Sequence, residues 1–346
     1  MKKSVWFYVM LAVGALLASC GGGGGSDDDD ATPVAERAGS VVEVPGFVKV
    51  EGGTVVGGDK YTVIDPYNQE THISRGAFVA GRTVTISSFY ICEHEVTQGE
   101  YEQYCSYGRN QPSTIYGVGE NYPVYSVSWY DALVYCNKRS IAEGLTPCYR
   151  INGATDPDEW GSVPTDDNAV WNSASCDFTA NGYRLPTEVE WEYAARGGAS
   201  GCAKENPNKY AGCNDSESLE YYAWYPANSN QTTHEVKAKR PNELNLYDMT
   251  GNVSEWCWDV YNSGIDNATP STGPVYEFSN SSRARVTVIH ITVPKEIDRP
   301  TNLVRAARGG SSFHPLAFCP ISNRHNDGRP HLSFSMRGFR LVRSSL

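Results

Sequence analysis

A histidine and a cysteine near the C-terminus are the side chains whose types and spacing suggest chemistry first. They lie in Arg308-Gly-Gly-Ser-Ser-Phe-His314-Pro-Leu-Ala-Phe-Cys319, just after a glycine pair. A thiolate is a soft donor that suits Cu(I), and a His-plus-Cys pair can in principle hold such a metal. The remaining histidines, at 72, 94, 234, 290, 325 and 331, show no metal-ligating spacing. Neither a Gly-x-Ser-x-Gly elbow nor a His-Glu-x-x-His motif occurs. His94-Glu95 invites reading as an acid/base pair, and nothing else rises to a catalytic constellation.

What the cysteines do depends on the compartment, and the first 20 residues address that. Lys2 and Lys3 form a charged start, Val5 to Leu17 an apolar run too short to span a bilayer comfortably, and Leu17-Ala18-Ser19-Cys20 a small-residue cleavage site. Leu-Ala-Ser-Cys resembles a bacterial lipobox, which makes residues 1–19 a signal peptide and Cys20 the lipidated first residue. The alternative is a secretory signal whose cysteine is incidental. Gly21 to Gly25, Ser26 and Asp27 to Asp30 then read as a flexible, extended tether over residues 20–45, or as a merely solubilising stretch. The expected setting is therefore an exported lipoprotein on the outer membrane or cell surface, touching the membrane only through its anchor.

The full chain has 346 residues, 40 acidic against 29 basic side chains and a formal charge of −11. Removal of Lys2 and Lys3 takes that to −13, which argues against a nucleic-acid partner because phosphate neutralisation needs a basic face. Aromatics at 12% supply a sizeable core. Nine cysteines follow Cys20, an odd number. Cys202 and Cys213 flank a loop and could pair outside the cytoplasm, whereas Cys136, Cys148 and Cys257 sit where small buried hydrophobes would also serve.

Few elements are available to position these groups. Helical period is found over Thr97 to Tyr107, with Tyr101, Tyr104 and Cys105 on one face, and over Ser128 to Ile141, with Ala132, Tyr135 and Cys136. Thr187 to Ala195 follows Pro186 and carries Glu188, Glu190 and Glu192 in its first turns. Short β-type runs occur at Tyr61 to Ile64, Arg82 to Ile86, Arg285 to Val293 and Gly338 to Val342. Three helices, short strands and long loops predict an α+β domain, 46–346, whose loops carry function.

Seven stretches taken in order carry a family resemblance: VEGGT from Val50, FYICEHEVTQGEY from Phe89, YPVYSVSWYDALVYCN from Tyr122, GYRLPTEVEWEYAAR from Gly182, RPNELNLYDMTGNVSEWCWD from Arg240, RGGS from Arg308 and GFRL from Gly338. The chain resembles the formylglycine-generating-enzyme, or sulfatase-modifying-factor, family over residues 46 to 343. That resemblance implies a C-type-lectin-like fold. It also implies a copper ion held by two cysteines after the GGS motif, and here Cys319 matches the second position while His314 occupies the first. No copper is expected on that account, and Cys319 reads as a packed or disulfide-bonded residue. The iron-dependent branch needs a His-x3-His-x-Glu pattern that is missing. Family members bind calcium at positions matching Asp248 and Glu255 through side chains and Gly251 and Val253 through carbonyls, hard oxygen donors of the kind Ca²⁺ takes. The alternative is that the two carboxylates cap backbone groups in a tight turn.

Residues 312 to 337 have neither helical nor strand period. Bounded by RGGS and GFR at the chain end, they resemble the display segment of the variable proteins of diversity-generating retroelements. Carried over, the framework is Gly309, Gly310, Ala317, Cys319, Asn323, Arg324, Pro330, Gly338 and Phe339. The displayed ligand-binding set is His314, Pro315, Leu316, Phe318, Asp327, Gly328, Arg329, His331, Leu332, Phe334 and Ser335. An ordinary irregular family loop is the alternative. Ser312 stands where the family usually has Trp, and residues 262 to 303 are longer than the family pattern. The function expected is a non-enzymatic, surface-displayed binder of a protein or other surface ligand, with a structural Ca²⁺. An altered oxidase and a structural lipoprotein of a secretion or motility complex are the alternatives.

Overall fold

The three expected helices each begin at a hydroxyl that bonds its own first turn. In the computed structural model, which describes residues 44–64, 73–74, 76–108, 110–261 and 303–345, the N-caps are Thr97, Ser128 and Thr187. Thr97 accepts from Glu100 N at 3.1 Å while the Glu100 carboxylate accepts from Thr97 N at 2.9 Å. Ser128 with Asp131 and Thr187 with Glu190 repeat this reciprocal box, which satisfies two otherwise orphaned donors per helix. The helices are α1 (Gln98–Tyr104), α2 (Trp129–Ala142), α3 (Ala169–Asn172), α4 (Glu188–Ala195) and α5 (Gly198–Ala203). Of these, α3 and α5 were not expected; α5 starts from Gly197 at φ 87, a conformation that glycine adopts without strain.

The strands are short: β1 (Phe47–Val50), β2 (Gly53–Val56), β3 (Val63–Ile64), β4 (Ile73–Ser74), β5 (Thr83–Ile86), β6 (Phe89–Cys92), β7 (Tyr149–Arg150) and β8 (Ser175–Cys176). They continue with β9 (Ser254–Val260), β10 (Arg305–Arg308), β11 (His325–Gly328), β12 (Arg337–Gly338) and β13 (Val342–Ser344). The larger sheets run β11-β10-β9-β12 and β1-β6-β13, with two-stranded pairs β2-β5, β3-β4 and β7-β8. Among the strand pairs of the described residues, only β9 with β12 is parallel. This is the α+β arrangement anticipated from the loop-rich sequence.

Two sequence expectations change. The run at Tyr61 opens as a 3₁₀ turn, Asp59–Tyr61, and only Val63–Ile64 is strand. Gly338 to Val342 is strand only at its ends, because the carbonyls of Phe339 and Leu341 accept from Val96 N and Cys92 N, two donors separated by a bend. The expected strand at 285–293 and the insertion at 262–302 lie outside the described residues, as do the signal peptide, Cys20 and the tether. Among the described residues no helix is long and apolar enough to cross a membrane.

Residues Glu43–Leu346 cluster as one compact unit with two main apolar clusters. One gathers Val50, Phe78, Phe89 and Trp191, the other Trp129, Tyr135, Trp256 and Phe339. Strand β9 feeds both, Cys257 into the first and Trp256 into the second, since successive side chains leave a strand on opposite faces. Cys202 packs in the first cluster and Cys213 in a third, smaller one with Cys319, so both are free thiols rather than a pair.

Helix α4 is buried on every side, including its three glutamates. Arg184 grips Glu190 through two contacts of 2.7 Å. Glu192 is shared by Arg196, at 2.7 Å, and Arg308, and also accepts from Ala77 N at 2.7 Å. Glu188 pairs with Arg324. Despite their burial, these cations hold Glu190 and Glu192 below the usual carboxylate range. Glu192→Gln removes the charge that two buried guanidinium groups share. It should cost about 3–5 kcal/mol of unfolding free energy, read by urea denaturation at pH 7, as expected when one partner of a buried pair is lost.

Candidate functional site

The C-terminal segment is fastened at both ends to the β9–β12 sheet. Gly309 and Gly310 turn the chain with φ of 96° and 73°, and a side chain on Gly310 would meet Cys319 Sγ at 2.9 Å. Ser312 N donates to Asn252 O and Ser229 Oγ donates to Ser312 O at 2.7 Å. Farther along, the Pro330 carbonyl accepts from the backbone N–H groups of Trp129 and Tyr130, filling orphan donors at the start of α2. Ser126 N donates to Phe334 O, and Asn110 Nδ2 donates to Ser333 Oγ at 2.7 Å.

Between these fastenings the side chains divide. Gly309, Gly310, Cys319, Pro330, Gly338 and Phe339 are buried, and Ala317, Asn323 and Arg324 are half-buried. Pro315, Phe318, Arg329 and Leu332 are exposed, while His314, Leu316, His331, Phe334 and Ser335 are half-buried. Gly328 is a correction: it lies inside β11, where an added Cβ would strike the Trp256 ring at 2.4 Å, so it spaces the sheet rather than being displayed. The Asp327 side chain lies outside the described residues.

Three large apolar side chains reach water here, Phe313 at 52%, Phe318 at 42% and Leu332 at 38% exposed. Phe313 is outside the expected displayed set although it lies on the same segment. The loop carrying Asn110 was also missed, although Ile115 and Val118 are exposed apolar residues in a Gly/Pro-rich stretch without period. His325, buried on β11, stacks with Phe318 and lies 4.7 Å from the His314 ring, centroid to centroid. Its burial, with His314, Arg337 and Arg308 nearby, holds its pKa well below the usual histidine value.

A two-thiolate copper centre finds no support in this arrangement. Cys319 is buried in an apolar cluster with Tyr210, Cys213, Leu219 and Ala223, and burial pushes its thiol up to about 12. His314 directs Nδ1 to Ser311 Oγ at 2.8 Å. Ser311 Oγ already accepts from the backbone of Phe313 and His314, so its proton is left to donate to that nitrogen.

Of the four residues expected around calcium, Asp248, Gly251 and Val253 sit on the loop before β9 and Glu255 on β9 itself. Glu255 is fully committed: Arg340 donates to its two oxygens at 2.7 Å each, and Trp191 Nε1 donates to Oε2 at 2.7 Å. Asp248 is different, since Oδ2 accepts from Lys237 N at 2.8 Å while the buried Oδ1 has no hydrogen-bond partner. Burial, with Glu255 nearby, pushes Asp248 up to about 6. Glu95, beside them, accepts from Asn252 Nδ2 and Val253 N and is raised well above its ordinary value by burial, Asp248 and Glu255. His94-Glu95 is therefore a structural pair in which the carboxylate pins the loop. Among the described residues no three His, Cys, Asp or Glu side chains are grouped to hold a metal.

Comparison with known proteins agrees with this geometry. The model of the sulfatase-modifying factor enzyme 1-like domain matches residues 32–345. Chaperone protein LppX of Paenibacillus barcinonensis is 42% identical over 193 residues, 51% of this chain and 64% of that protein. The formylglycine-generating enzyme of Streptomyces coelicolor is 35% identical over 109 residues, 30% of this chain and 35% of the enzyme. The chain thus spans less than two thirds of the length of either relative. The solved structure of Treponema denticola variable protein 1 superposes with a TM-score of 0.59 at 31% identity, covering 85% of this chain and 94% of that one.

The Asp248 environment carries a sign. Its folded pKa lies above the unfolded value, so the fold binds more protons and loses stability as pH rises from about 4 to about 6. In EDTA, Asp248→Asn should flatten that loss, worth about 3 kcal/mol across the window, in urea melts at pH 4, 5 and 7.

Proposed function

Because the chain belongs to the family of sulfatase-modifying factor enzyme 1-like domains and superposes on a variable protein, we propose that it is a non-enzymatic, lipid-anchored ligand binder displayed outside the cytoplasm. The C-terminal segment is its binding face, and its interspersed residues are those that a retroelement would diversify. The observation that carries this reading is the exposure of Phe313, Phe318 and Leu332 on a segment in which Gly309, Gly310, Cys319 and Pro330 are buried. Aromatic and aliphatic groups beside His314 and Arg329 combine contact area with hydrogen bonding, as recognition surfaces do. Against an oxidase stand His314 in place of a cysteine and the deep burial of Cys319. The 42% identity to a chaperone favours a second reading of the ligand, namely another protein, on the same face.

A reverse-transcriptase gene and an imperfect template copy of codons 312 to 337 are expected in the neighbouring DNA; their absence argues for an invariant binder. A sulfatase-motif peptide incubated with copper and oxygen should not be turned over. Turnover that vanishes in Cys319→Ser would overturn the non-enzymatic reading.

A structural calcium ion is part of the same proposal, with Asp248 and the carbonyls of Gly251 and Val253 as donors. Asp248 Oδ1 supports it, whereas Glu255 would have to share oxygens already bound by Arg340 and Trp191. Calcium would neutralise the buried Asp248 and stiffen the loop under the binding face. Millimolar Ca²⁺ should raise the melting temperature over EDTA in the parent protein and leave Asp248→Asn unmoved; identical melts with and without EDTA remove the ion from the scheme.

A further inference from the structure

A second concavity, built from other segments than the C-terminal face, lies among the 3₁₀ turn Asp59–Tyr61, the end of α4 and residues Pro207–Lys209. It has a volume of about 380 Å³, and its charged lining residues, Lys60, Arg196 and Lys209, are all cations. No carboxylate lines it, in a chain whose formal charge is −11. Tyr61, Thr62 and Asn208 supply the polar remainder.

Charge accounting shows why this cavity differs from a solvated basic surface. Arg196 is buried in its wall and shares the carboxylate of Glu192 with Arg308, whose NH1 also lies 3.9 Å from Glu188 Oε1. Its NH1 reaches only the Asn208 carbonyl, at 3.3 Å. Lys60 Nζ donates to the carbonyls of Cys202, at 3.1 Å, and Lys204, at 2.9 Å, which leaves one of its three donors. Those carbonyls orient the ammonium without neutralising it. Among the described residues neither Lys60 nor Lys209 forms an ion pair with a carboxylate. Their stems are steered by ring faces, Lys60 over Tyr61 at 5.0 Å and Lys209 over Tyr210 at 5.2 Å.

We propose that this cavity binds the phosphate group of a small phosphomonoester. Two lysines without counterions, beside an arginine whose carboxylate is shared, match a group carrying between one and two negative charges and three acceptor oxygens. A single carboxylate would leave most of the cationic charge unanswered. The ester could be a dissolved metabolite or a lipid headgroup, and the chemistry recognised is the same.

The test is calorimetric titration of the full-length protein at constant ionic strength, with inorganic phosphate, glycerol 3-phosphate and short-chain dihexanoyl phosphatidate as separate probes. Saturable binding of phosphate is expected, with glycerol 3-phosphate and phosphatidate telling a dissolved ester from a headgroup. Lys60→Met with Lys209→Met should weaken it about tenfold or more, as expected for lost charge-assisted contacts. Lys138→Met, which removes a lysine paired with Asp158 elsewhere on the surface, should leave it unchanged. Since Lys60 also caps α5, Lys209→Met alone serves if the double variant does not fold. Heats no larger than those of chloride, or equal phosphate affinity in parent and lysine variants, overturn the proposal.

Discussion

A helix buried on all sides cannot carry glutamates unless cations are buried with them, and α4 carries three. The arginines that answer them come from both directions along the chain. Arg184 and Arg196 flank the helix itself, while Arg308 and Arg324 arrive from the C-terminal segment. A fifth, Arg340, repeats the arrangement on Glu255, which also accepts from Trp191 of α4. Desolvating so many charges is costly, and their mutual attraction offsets that cost only with good geometry and full hydrogen bonding. Bidentate contacts near 2.7 Å meet that condition at Glu190 and Glu255.

This lattice explains how an irregular segment can be held firmly. Residues 312 to 337 have little regular structure, yet Arg308, Arg324 and Arg340 tie the segment and both its flanks into buried ion pairs. Pro330 adds a fourth tie by capping α2. Between the ties, Phe313, Pro315, Phe318, Arg329 and Leu332 are exposed, so substitution at those positions is expected to disturb the packing little. Rigidity and tolerance therefore coexist because they reside in different residues of the same stretch.

Local rules carried the sequence reading where local physics decides. Apolar period from Thr97 and Ser128, and the acids after Pro186, located the main helices, each of which begins in a reciprocal box. The reading missed where the deciding partner is distant. Glu188, Glu190 and Glu192 look like a solvated first turn until Arg308 and Arg324 are seen against them. Gly328 looks like part of a loop until Trp256 is found above it. Glu255 looks like an oxygen donor for a cation until Arg340, 85 residues later, occupies it. Of the candidate face, the framework positions came from the family resemblance; Gly309, Gly310, Cys319 and Pro330 are buried, and Ala317, Asn323 and Arg324 half-buried. Phe313 and the Asn110 loop were not legible, since exposure of an apolar side chain leaves no mark in composition.

The ion pairs also set an order of events. Glu188 and Arg324 are 136 residues apart, and Glu192 and Arg308 are 116 apart, so α4 emerges long before the arginines that neutralise it. Contacts of such separation form late and slow folding, because loop closure precedes any reward from pairing. The ion pairs of α4 close only after the chain has been made as far as Arg324. A chain truncated or shifted out of frame anywhere in the display segment lacks Arg340 and leaves Glu255 without its cation. Arg340 thus couples completion of the buried lattice to synthesis of the residues that follow the irregular segment.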